Sequence, residues 1–128
     1  PQWVVEGWDR TLDLILELKN TVESNESKFA VLFIPAIYQV DVTIWQENLE
    51  LNPDKKQVEW NLEKPNKYLG DWLKVQGIVY IDFLPIFRQG KKENNDRYYL
   101  RFDRHLNKHG HRAIGENLHS WVSKECNL

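Results

Sequence analysis

Phe29-Ala30-Val31-Leu32-Phe33-Ile34-Pro35 is the stretch on which the fold turns. Six apolar residues without polar alternation suit a strand buried on both faces of a parallel sheet, and Pro35 turns the chain out at the strand's carboxyl end. A second run, Ile78-Val79-Tyr80-Ile81-Asp82-Phe83-Leu84, also stops at a proline, Pro85. Two helical patterns lie between them. Val40, Ile44, Trp45 and Leu49 lead to Asn52-Pro53-Asp54, and Tyr68, Leu69, Trp72 and Leu73 form one apolar face over residues 66–76, with Pro65 in the first turn and Gly77 as the stop. A strand-helix-strand unit of this length closes as a right-handed crossover, so the two strands are predicted parallel, as in a doubly wound α/β sheet. Such sheets bind ligands beyond the carboxyl ends of their strands. Tyr38 and Gln39 are therefore candidate substrate-binding residues, against the plainer reading of a capped helix start packed under a loop.

Working outward, Trp8, Leu12, Ile15, Leu16 and Leu18 predict a helix of about three turns starting near Asp9, broken by polar residues 20–28. Residues 54–61 read as an irregular excursion or a short helix. Asp82, at the end of the second strand, is expected to cap a short helical turn over residues 84–87 more readily than to act as a second carboxylate of a site. Residues 90–96 read as a charged loop, after which Tyr98-Tyr99-Leu100-Arg101-Phe102 supply aromatic walls. Ala113, Ile114, Leu118, Trp121 and Val122 define a closing amphipathic helix. His119, within it, reads as a surface or half-buried histidine.

The chemistry concentrates in Phe102-Asp103-Arg104-His105-Leu106-Asn107-Lys108-His109-Gly110-His111. Asp103 and His105 flank one residue of a loop, so the carboxylate can bond one imidazole nitrogen and leave the other free. In acyl transfer that arrangement fixes the tautomer and stabilises the imidazolium while the imidazole takes a proton from a hydroxyl nucleophile. Metal binding is the competing use: His105 and His109 have the separation of two imidazoles on one helical face, and Asp103 could add an oxygen. The turn residues Asn107 and Gly110, and the lack of the His-Glu-x-x-His pattern, argue for no metal and no cofactor.

The pattern Asp-x-His-x-Asn-x-x-Gly-His, leading into an amphipathic helix, resembles the last block of the SGNH (GDSL-type) ester hydrolases. The likeness is to the branch with one residue between Asp and His, which includes polysaccharide O-acetyltransferase-like members; Ile34-Pro35 and Gln39-Val40 are similar to that branch too. The resemblance implies a flavodoxin-like three-layer α/β/α domain with a parallel sheet, of which residues 1–128 are the C-terminal part. It implies Asp103 as orienting acid, His105 as general base, Asn107 and Gly110 as the turn into the last helix, and His111 as that helix's start. The activity it implies is that of a serine-type ester hydrolase acting on a small-molecule or carbohydrate ester. A carbohydrate O-acetyltransferase and a non-catalytic binding domain of the same fold are the alternatives, the six Trp being platforms in the last case.

The chain departs from that family at the other half of its site. It contains no Gly-Asp-Ser and no Gly-x-Asn block, and Ser24, Ser27, Ser120 and Ser123 stand in polar or helical contexts. The expectation is a fragment whose nucleophile lies in a missing N-terminal part, so that the isolated chain is inactive. The absence of Met points the same way. A content of 41% hydrophobic residues is enough for one core, and a net charge of -2 with pI near 6.1 gives no electrostatic reason for a nucleic-acid partner. There is no transmembrane run and no signal-peptide pattern, and the single Cys126 does not fix the compartment. An exported parent or one in the bacterial cell envelope is compatible with these features.

Overall fold

The computed structural model describes residues 1–126. Its elements in order are α1 (Gln2–Ser24), β1 (Ala30–Phe33), α2 (Ile37–Val40), α3 (Val42–Leu51), a 3-10 turn (Pro53–Gln57), α4 (Lys64–Val75), β2 (Val79–Asp82), α5 (Leu84–Asn94) and α6 (Lys108–Cys126). The chain is broadly α/β, mostly helical around a small sheet. Strands β1 and β2 pair parallel from Ala30↔Val79 to Phe33↔Asp82, as the crossover argument predicts.

Side chains alternate across the pleat and feed two apolar clusters. Val31, Phe33 and Tyr80 pack with Ile15 and Leu16 of α1 and Leu69, Trp72 and Leu73 of α4. Ile81 and the following Phe83 join Val40, Leu84, Phe87 and Tyr98, against which Ala113, Ile114 and Leu118 of α6 rest. Phe83, Phe87 and Leu73 are the largest fully buried side chains. The predicted burial of β1 on both faces holds on one face only. Leu32 and Ile34 are 36% and 52% exposed, in a sheet just two strands wide.

Local chemistry sets the element ends. Gly77 follows α4 with φ +63, a conformation glycine adopts without a Cβ clash. The helix expected from Val40 onward is two, because the Asp41 carboxylate accepts from the Thr43 and Ile44 N–H groups and starts α3 afresh. Helix α1 begins at Gln2, well before Asp9; its first turns are solvent-facing and needed no apolar stripe to declare them. Asp82 accepts from the Leu84 N–H at 2.9 Å, the capping role expected, but α5 continues through the supposed charged loop to Asn94. Asn95, in the left-handed region at φ 55, ends it. None of the described helices is long and apolar enough to cross a membrane.

Candidate active site

Residues 98–107 form a tight return loop whose two ends are tied together. An isolated antiparallel bridge joins Tyr99 to Leu106, the Leu100 N–H donates to the His105 carbonyl at 2.8 Å, and the Asn107 N–H donates to the Tyr98 carbonyl at 2.8 Å. The base of the loop is anchored in the core. Tyr98 stacks on Phe87 with ring centroids 4.2 Å apart, and its hydroxyl donates to Asp96 at 3.0 Å. Tyr99 reaches across the fold to donate its hydroxyl to the Pro35 carbonyl at 2.6 Å, fixing the loop to the carboxyl end of β1. Burial, then the Asp96 carboxylate, push the Tyr98 phenol up to about 12, and burial raises that of Tyr99 as well.

Asn107 does more than shape a turn. Its Oδ1 accepts from the His109 and Gly110 N–H groups, which caps α6, while its Nδ2 donates to the Arg97 and Tyr99 carbonyls. Helix α6 therefore starts at Lys108 rather than at His111, which lies in its first turn. Gly110 sits inside that turn because a Cβ there would collide with the Tyr98 carbonyl oxygen and meet Leu106 Cδ2 at 2.8 Å. Close approach, not backbone freedom, is what this glycine provides.

The tip carries the predicted pair. The Asp103 carboxylate uses Oδ1 to accept from the backbone N–H of His105 at 3.0 Å, and Oδ2 stands 3.5 Å from His105 Nδ1. The carboxylate thus bonds the backbone of His105 and lies close to its ring. The imidazole is 83% exposed and the carboxylate 55%. His105 borders a shallow apolar recess of about 420 Å³ lined by Ile34, Pro35, Tyr38, Tyr99 and Leu106, at the strand end where a ligand was expected.

Between the pair, Arg104 has φ 63. For a non-glycine residue the left-handed region costs roughly 1–2 kcal/mol. Asp103 and His105 flank this residue with their side chains 3.5 Å apart, and the Arg104 guanidinium lies 4.8 Å from the Tyr38 ring centroid. Tyr38 is further held by Asn48, whose Nδ2 donates to its hydroxyl at 3.1 Å.

Gln39 is engaged within the protein. Its Oε1 accepts from the Ala36 N–H, and its Nε2 donates to the Leu62 carbonyl and Asn66 Oδ1. Asn66 in turn donates to Asp82, and Arg88 donates to the Gln39 carbonyl and pairs with Glu63. This relay locks α2, α4, α5 and the end of β2 together, so both amide hydrogens of Gln39 are committed to scaffold. Phe102, expected as an aromatic wall, is 93% exposed at the loop tip. Among the described residues no group of three or more His, Cys, Asp or Glu side chains is placed to hold a metal ion.

Sequence reasoning missed a second cleft, next to the first. It has a volume of about 510 Å³ and is lined by Asp41, Lys91, Arg97, Tyr98, Tyr99, Arg101 and Arg104 among others; Tyr99, Arg104 and Ile37 belong to both recesses. Lys91 pairs with Asp41 at 2.9 Å. Burial works to raise the Asp41 carboxyl, but the Lys91 ammonium and the Ile44 and Thr43 N–H groups outweigh it and hold it below the ordinary carboxylate range. Three arginines in eight residues were the available signal, and their convergence depends on the loop's return path. Against known protein families, curated proteins and solved structures, the chain finds no match.

Proposed function

We propose that this chain supplies the acid-base half of a serine-type ester hydrolase, as the C-terminal portion of a flavodoxin-like three-layer domain. The observation that carries the reading is the Asp103 carboxylate on the Nδ1 side of an accessible His105 imidazole, beside a recess at the end of β1. The 3.5 Å separation exceeds a charge-assisted hydrogen bond of about 2.7–2.9 Å, and such contacts tighten when substrate binds.

In this reading a serine hydroxyl outside these 128 residues attacks the ester carbonyl while His105 Nε2 accepts its proton. Asp103 stabilises the imidazolium, which then protonates the departing alkoxide and leaves an acyl-serine. His105 next takes a proton from water, or from a sugar hydroxyl, as that oxygen attacks the acyl carbonyl and releases the serine. A run of edge-to-face aromatics, Trp60 on Trp45 at 5.6 Å and Trp45 on Tyr38 at 5.7 Å, ends at the recess and supports a carbohydrate ester as substrate, or a sugar hydroxyl as the alternative acceptor.

The test is p-nitrophenyl acetate turnover by the 128-residue chain and by a longer form carrying an upstream Gly-Asp-Ser segment. Negligible turnover by the short chain, and turnover by the longer form that drops at least about 1,000-fold in His105→Ala, is the expected result. Undiminished turnover in a folded His105→Ala variant of the longer form overturns it.

A further inference from the structure

We propose that the larger cleft binds a carboxylate group of the substrate, so that the ester presented to His105 belongs to an acidic, uronate-type glycan; this deepens the ester reading and rests on it. Arg97, Arg101 and Arg104 all line that cleft. Among the described residues, none of the three guanidinium groups makes an ion pair with a carboxylate or donates a hydrogen bond to a protein acceptor. The acidic side chains of the cleft do not offset them fully. Asp41 is held by Lys91, and Asp96 and Glu47 leave the lining, with its three arginines, one positive charge in excess. A guanidinium without a protein partner has N–H donors to offer, and a planar carboxylate takes two of them in parallel, directional bonds.

Arg104 links this cleft to the chemistry. It lines both recesses, precedes His105 directly, and occupies a left-handed conformation that glycine or asparagine would take more easily. Tyr99, which lines both recesses, offers an aromatic surface for a sugar ring, so charge recognition and ring recognition meet beside the imidazole.

The experiment titrates the 128-residue chain with a short oligogalacturonate, with a neutral galactose oligomer of equal length, and with sodium sulfate, following affinity by calorimetry and Tyr99 signals by NMR. Arg104→Gly, which suits the backbone conformation, and Arg101→Gln are compared with Lys92→Gln, an exposed charge loss outside the cleft. The expected result is oligogalacturonate binding that weakens about tenfold in each arginine variant and holds in Lys92→Gln, with sulfate competing and the neutral oligomer binding far more weakly. Equal affinity for neutral and charged oligomers overturns the proposal. So does an equal loss in Lys92→Gln, which would mean net charge alone, and so does binding of sulfate without oligogalacturonate. Arginine-dependent binding beside His105-independent ester turnover keeps the cleft assignment and removes the ester reading; no binding beside His105-dependent turnover does the reverse.

Discussion

The two ends of the return loop over residues 98–107 differ in kind. At its base, Tyr98 is 7% exposed and stacked on Phe87, Tyr99 is bonded to β1's exit, and Asn107 spends all its polar capacity on the backbone. At its tip, His105 is 83% exposed and its one side-chain partner, Asp103, is itself open to solvent. The contrast teaches a division of labour. Position is secured by burial a few residues away from the accessible tip, so the tip's side chains are both anchored and open to solvent.

That division predicts separable effects. On the proposed function the largest is at the tip: in a longer form that carries an upstream Gly-Asp-Ser segment, His105→Ala should cost at least about 4 kcal/mol in transition-state stabilisation, read as kcat/KM, while the thermal midpoint stays put. Next is the anchor beneath the loop, where Phe87→Ala should lower unfolding free energy by about 3–5 kcal/mol in a urea titration, through the cavity it leaves. Asn107→Ala follows, at about 2–3 kcal/mol, for the lost cap and two unpaired carbonyls; a loss confined to activity would erase the contrast. Smallest is an alkaline effect. The folded state raises both tyrosine pKa values above the ordinary value of about 10, so their contribution is full below that pH and is lost as pH climbs through the raised values. Urea midpoints should therefore fall as pH rises from about 10 to about 12, and less so in Tyr98→Phe.

The sequence announced features governed by neighbours in the chain. The apolar runs before Pro35 and Pro85 marked two parallel strands, Gly77 marked a helix end, and the Asp103-x-His105 spacing marked two groups that do sit together. It was silent where the cause is tertiary. The extension of α5 through Gly90 to Asn94 follows from Phe87 being buried and Tyr98 lying over the helix, which no local pattern encodes. Asp41 splits a helix because its carboxylate finds two N–H groups, where the apolar spacing alone ran on unbroken. The left-handed turn at Arg104 and the gathering of three guanidinium groups both arise from how residues 98–107 double back. Gln39 was placed near the strand end by the pattern, and its three internal bonds became visible only in three dimensions.

The hydroxyl of Tyr99 and the carbonyl of Pro35 are 64 positions apart along the chain. Their clasp can close only after the whole crossover has been threaded, and the entropy of gathering so long a span must be met first. Order in the loop that carries His105 is thus tied to completion of the fold, and a half-folded chain would leave Asp103 and His105 without their anchor.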